Sequence, residues 1–122
     1  MAVNANVSAT ARGREGERMA ARWYEDGGAV VLCMNYRVAG GEIDLIVRDG
    51  DEIAFVEVKA RASADFGAPE EAVTPAKQRR ICKAALQYAQ ENGLMDAPLR
   101  FDVCAILAGR ISVIKNAFDY QE

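Results

Sequence analysis

Residues 42–59 read EIDLIVRDGDEIAFVEVK. Two runs with apolar residues at alternate positions, Glu42–Arg48 and Glu52–Lys59, flank Asp49-Gly50-Asp51. A DG step between alternating runs is the strongest short-range hairpin signal, because a two-residue loop needs a residue that accepts positive φ. Side chains alternate faces along a strand. Glu42, Asp44 and Ile46 should therefore share one face of the first strand, with Ile43, Leu45 and Val47 on the other. On the second strand Ile53, Phe55, Glu57 and Lys59 share a face, opposite Ala54, Val56 and Val58. A loop at Gly50-Asp51 sets Asp44 across from Glu57 and Glu42 across from Lys59. A loop at Asp49-Gly50 slides the pairs by two and keeps the same faces together.

Directly opposed side chains have Cβ atoms about 4.5–5.5 Å apart. Two carboxylates at that distance repel unless a cation lies between them. A hard divalent ion, Mg²⁺ or Mn²⁺, suits such oxygen donors. Lys59, two residues beyond Glu57 on the same face, can reach the same ligand, hold a phosphate oxygen or orient a water. A lone E-x-K is more often an exposed cross-strand ion pair. Here the same face carries Ile46, Ile53 and Phe55 and the other face is almost wholly apolar, so the charges concentrate at one partly covered end. Clustered charge of that kind is costly unless it is paired or metal-bound.

Outward from the hairpin, residues 1–9 carry no periodic pattern and are expected as a flexible tail, leaving residues 10–122 as one domain. A helix is predicted from Thr10 to Asp26, with Gly16, Ala20, Trp23 and Tyr24 on one face and Gly27-Gly28 as its stop. Gly13 and Gly16 inside it cost roughly 1 kcal/mol each relative to alanine, which suggests a close approach to that surface or a frayed first turn. Glu17 lies on this helix and can add a third carboxylate if the glycine surface faces the sheet. Ala29–Asn35 reads as a short buried strand. Residues 60–74 are a connector, with a helical turn near residues 70–73, that leaves the charged end and could close on a substrate or simply link elements. Thr74-Pro75 is an N-cap followed by proline at the first helical position. The helix it opens runs to about Asn92, buries Ile81, Ala84, Ala85 and Tyr88, and ends at Gly93. Leu99–Leu107 and Arg110–Ile114 are two further strands around Ala108-Gly109. The order α-β-β-β-α-β-β predicts an α/β sandwich, a central sheet with helices on its faces.

The 122 residues suit one domain, and 51% hydrophobic with 27% charged residues excludes wholesale disorder. No apolar run approaches the roughly 18 residues of a membrane span, and the first residues lack the pattern of a secretory signal. Cys33, Cys82 and Cys104 are distant from one another among apolar neighbours, as expected of buried free thiols in a reducing cytoplasm. There is no histidine, which removes serine–histidine and cysteine–histidine catalysis and histidine-ligated metals. There is no CxxC pair, P-loop or GxGxxG fingerprint. The net charge of −3 argues against a tight nonspecific nucleic-acid binder. Basic residues nevertheless cluster at Arg12, Arg14, Arg18 and Arg22, and again at Lys77, Arg79, Arg80 and Lys83.

The set Glu17, Asp44 and Glu57-Val58-Lys59 resembles the PD-(D/E)xK nuclease pattern, including the N-terminal-helix glutamate of its Holliday-junction-resolvase branch. More narrowly, Gly13-x-x-Gly16-Glu17, Asn35-Tyr36-Arg37, Gly41-Glu42-Ile43-Asp44-Leu45-Ile46, Phe55-Val56-Glu57-Val58-Lys59-x-Arg61, Phe66-Gly67, Arg100-Phe101-Asp102-Val103 and Asn116-Ala117-Phe118 resemble the bacterial YraN-like family, over residues 12–120. Ile43 stands where the wider superfamily often has a proline. The resemblance implies a restriction-endonuclease-like fold with a central mixed sheet. It implies hydrolysis of phosphodiester bonds in nucleic acid, with DNA and branched DNA as expected substrates. In that scheme Asp44 and Glu57 hold Mg²⁺ or Mn²⁺, helped by Glu17 and the carbonyl of Val58. Lys59 positions the attacking water or stabilises developing charge. Arg61, Lys77, Arg80 and Lys83 contact flanking phosphates. Related resolvases act as dimers, so a homodimer is expected. Two other readings stay open: a non-catalytic nucleic-acid-binding module and a protein-assembly factor, the latter favoured by the acidic balance.

Overall fold

The computed structural model describes residues 4–61 and 73–121, with side chains from Gly13 onward. The elements are α1 (Asn4–Asp26), β1 (Val30–Val38), β2 (Gly41–Asp49), β3 (Glu52–Arg61), α2 (Pro75–Glu91), β4 (Leu99–Leu107) and β5 (Arg110–Phe118). The predicted order α-β-β-β-α-β-β is the observed one. One five-stranded sheet runs β1-β2-β3-β4-β5. Every neighbouring pair is antiparallel except β3 and β4, which are parallel. A parallel pair needs a crossover, and α2 lies within that connection.

Local chemistry explains the element ends. Both helices close with the same device. Ala29 N–H donates to Tyr24 O at 2.9 Å past Gly28 (φ 96°), and Leu94 N–H donates to Ala89 O at 2.8 Å past Gly93 (φ 68°). Glycine accepts that left-handed turn without the Cβ penalty. Thr74 caps α2, its Oγ1 accepting from Lys77 N at 3.3 Å, with Pro75 at the first helical position. The hairpin pairs Asp49 with Glu52 around Gly50-Asp51, and Gly50 takes φ 65°. That is the first of the two registers left open by the sequence.

The sheet is covered on both sides. Tyr24, Ala20 and Ala21 of α1 pack on Leu45, Val47, Ala54, Val56, Cys104 and Ile106. Ile81, Ala84, Ala85 and Tyr88 of α2 pack on Ile43, Ile46, Ile53, Phe55, Phe101 and Val103. This five-stranded mixed sheet between two helices is consistent with a restriction-endonuclease-like fold. Among the described residues no helix is long and apolar enough to cross a membrane.

Five expectations need correction. Helix α1 starts at Asn4, within the expected tail, because residues 4–12 contain three alanines and no glycine or proline, and propensity extends a helix beyond its amphipathic stretch. Strand β1 is longer than Ala29–Asn35 and is not buried: Val30 is 58% exposed. Among the described residues it is an edge strand bonded only to β2, so an apolar run there is not covered on all sides. Cys33, on that edge, is only partly buried, whereas Cys82 and Cys104 are buried thiols as expected. Strand β5 continues past Ile114 to Phe118, through an irregularity at Asn116, which takes φ 55°. Finally, Ile43 faces α2 together with Ile46, not α1 with Leu45 and Val47. The alternation slips where pairing with β3 ends at Leu45 and Val56.

One polar network runs through the core. Asp102 is wholly buried. It accepts from Tyr24 Oη at 2.6 Å, from Arg100 Nε at 3.1 Å and from Asn116 N at 2.9 Å. Arg100, itself buried, also donates to Asp49 at 2.7 Å and Glu52 at 3.0 Å. Burial and the Asp102 hydrogen bond push the Tyr24 hydroxyl pKa upward, which keeps it a donor. Asp102→Ala strands the tyrosine hydroxyl, the Asn116 N–H and one edge of the guanidinium, and should cost about 3–5 kcal/mol. Tyr24→Phe removes one bond from an aspartate that keeps its other partners and should cost about 1–2 kcal/mol. Urea unfolding checks both; equal losses would show that Asp102 is not the organising group.

Candidate active site

A cleft of about 450 Å³ opens where β2 and β3 separate. Their ladder runs from Asp49/Glu52 to Leu45/Val56 and stops. Beyond it the Asp44 carboxylate takes over, Oδ2 accepting from Val58 N at 2.8 Å. Asp44 and Glu57 thus come together as expected, close enough for the Glu57 carboxylate to act directly on that of Asp44. Burial and the neighbouring Glu57 carboxylate push the Asp44 pKa up to about 8, against the lowering effect of the Val58 N–H. The expected pairing of Glu42 with Lys59 does not form. Past Val56 the strands no longer pair, so Glu42 meets Arg37 of β1 at 3.6 Å and Lys59 meets Glu57 at 3.2 Å.

Two glycines bring helices to this opening. A Cβ on Gly41 would lie 2.4 Å from the carbonyl oxygen of Arg80, so only glycine lets α2 pass this close to β2. The close pass sets Lys77 and Arg80 on the cleft wall. A Cβ on Gly16 would lie 3.3 Å from Ala60 Cβ, which meets the expectation of a close approach and seats α1 on β3. Glu17, one residue on, reaches the cleft from the other side of the sheet.

Lys77 and Lys59 line the same wall of the cleft and act on each other's titration. Burial works against charge on Lys59, but Lys77 and the carboxylates Glu57 and Asp44 prevail and raise its pKa. Lys59, with burial, lowers that of Lys77. The two shifts run in opposite directions, with Lys59, next to the carboxylates, the more strongly held cation.

The remaining expected phosphate contacts divide. Lys77 and Arg80 border the cleft, while Arg61 and Lys83 do not. Lys83 reaches back toward the β1–β2 turn, its Nζ 3.0 Å from the place of a Cβ on Gly40. Arg61 sits at the last position of β3, opposite Leu107. The connector beyond it, with Phe66-Gly67 and most of its expected helical turn, lies at residues 62–72, outside the described residues.

Asn35 has a part that its sequence position alone did not assign. The pairs Met34–Leu45 and Tyr36–Ile43 bracket Asn35 and Asp44. Asn35 takes φ 57° and its Nδ2 donates to Glu17 Oε1 at 2.8 Å. Asparagine tolerates that backbone far better than the β-branched residues of a strand. An asparagine inside an apolar strand run was the available signal. Asn35 holds Glu17 within electrostatic range of Asp44, whose pKa the Glu17 charge also raises. Among the described residues, no three Asp, Glu, Cys or His side chains gather tightly enough to form a metal cluster unaided. The close donor set is the carboxyl groups of Asp44 and Glu57, with Val58 on the cleft wall beside them. It is all hard oxygen, and its two carboxyl groups repel unless a proton or a cation lies between them. That chemistry fits Mg²⁺ or Mn²⁺, which bind through one or two carboxylates and complete their shell with water and substrate phosphate.

The Asp44 shift makes stability depend on pH in a defined direction. The unfolded chain releases this proton near pH 4 and the folded chain holds it to about pH 8. Stability therefore falls as pH rises through that window. Asp44→Asn keeps an acceptor for Val58 N–H and removes the titration. In EDTA the variant should exceed wild type by more than about 1 kcal/mol at pH 9, with the gap closing toward pH 4. A pH series of thermal melts reads this; a constant gap would contradict the buried-acid assignment.

The sequence comparisons agree with one another. The profile of the family described as "Uncharacterised protein family UPF0102" matches residues 16–106. A UPF0102 protein of Dechloromonas aromatica is 48% identical over 118 residues, covering 97% of each chain. One from Syntrophus aciditrophicus is 49% identical over 111 residues, covering 88% of this chain and 87% of its own. One from Desulfosudis oleivorans is 46% identical over 110 residues, covering 88% and 89%. With a profile spanning Gly16 to Ile106 and identity of this order along nearly full-length relatives, the chain belongs to the UPF0102, or YraN-like, family.

Proposed function

We propose that this protein is a divalent-metal-dependent nuclease that hydrolyses phosphodiester bonds in nucleic acid, with DNA, branched DNA included, as the substrate class. The observation that carries the proposal is the juxtaposition of Asp44 and Glu57 in one cleft at the end of the β2–β3 ladder, with Lys59 3.2 Å from Glu57. Structural carboxylates are seldom left facing each other in a half-buried cleft, because the site then carries a repulsion that contributes nothing to folding.

Asp44 and Glu57 would hold Mg²⁺ or Mn²⁺, with the Val58 carbonyl as a further oxygen donor and Glu17 as a more distant negative charge. The bound ion would supply Lewis acidity toward the scissile phosphate and acidify a nearby water. The protein's own groups do the rest. Asp44 must give up its proton to serve as a donor, so its raised pKa makes the ready state more populated toward alkaline pH. Lys59, kept charged by Glu57, orients the water or offsets charge developing on the phosphate oxygens. Lys77 and Arg80 hold the adjoining phosphates from the α2 side; such contacts position a substrate without reading its sequence.

A second reading, a DNA-binding or assembly module that keeps the fold without cutting, draws on Glu17. It is bonded to Asn35, and the close donor set has two carboxylates where the resemblance implied three.

Purified protein should cut at least one member of a panel of single strands, duplexes, flaps, four-way junctions and RNA in Mg²⁺ or Mn²⁺, and none in EDTA. Asp44→Asn and Lys59→Ala should each reduce cutting by more than about a hundredfold, the scale of losing a metal ligand or a principal charge-stabilising group. Millimolar Mg²⁺ should raise the melting temperature of wild type but not of Asp44→Asn. Cutting that survives both substitutions would exclude the site; a Mg²⁺-induced stabilisation without cutting would favour the second reading.

A further inference from the structure

A second cavity of about 420 Å³ lies on the far side of Glu17, lined by Gly13, Arg14, Glu17, Asn35 and Arg37. Gly13 and Glu17 border both this cavity and the cleft. Gly13 is the informative residue. A glycine inside a helix lowers helix stability, and two ordinary reasons accept that loss: a positive φ, or a neighbour too close for a Cβ. Gly13 has neither. Its φ is not positive, and a Cβ there would meet nothing within 4 Å, whereas Gly16 one turn on presses against Ala60 at 3.3 Å. What the missing side chain leaves clear is the lip joining the two cavities.

The charges follow the same line. Lys77 and Arg80 border the cleft from α2, and Arg14 and Arg37 border the second cavity from α1 and β1. Asp44, Glu57 and Glu17 lie between the two groups. Arg37 is 73% exposed and only loosely paired with Glu42 at 3.6 Å, so it can turn to another anion at little cost. On a chain of net charge −3, cations bracketing the carboxylates on two sides match a polyanion laid across them, with phosphates on both sides of the reacting one.

We propose that this second cavity is a phosphate-binding subsite, in which Arg14 and Arg37, with Asn35 as a polar contact, hold the sugar–phosphate backbone of the DNA strand after it has crossed the carboxylates over the Gly13 lip. The subsite rests on the nuclease reading for its substrate class. It adds the direction of the strand, from the α2 wall past Asp44 and Glu57 to the α1–β1 corner, and gives Gly13 a functional reason.

The test is binding without cutting. Fluorescence anisotropy in EDTA follows a labelled single-stranded oligonucleotide across a salt series. The proteins are wild type, Arg14→Ala/Arg37→Ala, Gly13→Leu, and a control, Arg22→Ala/Arg110→Ala, that removes two exposed arginines outside both cavities. The Arg14/Arg37 variant should bind about tenfold more weakly at low salt and lose about one unit of the salt slope, as expected for one or two phosphate contacts. Gly13→Leu should weaken binding while leaving the melting temperature unchanged or higher. Equal losses in the control would overturn the subsite, as would full wild-type affinity in the Arg14/Arg37 variant or a lower melting temperature for Gly13→Leu. Adding Mg²⁺ or Mn²⁺ to the same mixtures reports the nuclease reading separately. Binding with the expected slopes but no cutting keeps the subsite and removes catalysis, and a wild type without salt-dependent binding removes the subsite while the cutting assay alone decides the nuclease reading.

Discussion

Asp102 is a carboxylate with no access to water, and the sheet is organised around satisfying it. Charge buried this deeply is tolerated only with several close donors. The donors come from α1 through Tyr24, from β4 itself through Arg100, and from β5 through the Asn116 amide. Arg100 carries the network on to Asp49 and Glu52, the closing pair of the hairpin. One end of β3 is thereby tied to β2, and through β4 to α1 and β5. The irregularity of β5 at Asn116 has the same origin, since that backbone N–H turns to the aspartate.

The other end of β3 is where pairing is given up. Between Val56 and Arg61 the strand stays bonded to β4 but no longer to β2. Asp44 fills the gap by accepting from Val58, and the backbone bond replaced by a side chain leaves room for a cleft. The two ends are complementary. The anchored end contributes cohesion, and the parted end carries the mutually repelling acids Asp44 and Glu57 at a cost in stability. Groups arranged for chemistry in place of folding commonly sit where the scaffold is otherwise over-determined.

Much of this was legible in residues 42–59. The hairpin, and the placing of Glu57 and Lys59 on one face with Phe55, follow from a period of two and from glycine's freedom at positive φ; the pairing of Asp49 with Glu52 then selects Gly50-Asp51 from the two loops the sequence allowed. The same holds for the capped ends of α2 at Thr74 and Gly93, and for its buried face of Ile81, Ala84, Ala85 and Tyr88. Alternation failed at Ile43 because it assumes an unbroken ladder, and the ladder ends two residues later at Leu45. It failed to expose β1 because an apolar run reads the same at a sheet's edge as at its centre.

By itself, the sequence determined the element order, the buried face of α2 and the gathering of Asp44 and Glu57 at one end of the hairpin, because each rests on contacts a few residues apart or on one short loop; which of the two hairpin registers forms was left to the structure. It also determined the family, through motifs spread along most of the chain. The tertiary structure alone decided which basic residues face the carboxylates. Lys77 and Arg80 do because Gly41 admits the backbone of α2; Lys83, on the same helix, does not. It alone brought Asn35 to Glu17, and Tyr24 to Asp102 across 78 positions of sequence. Those contacts depend on how closely helices and sheet approach in space. That distance is set by the sum of packing across the core, which no local period records.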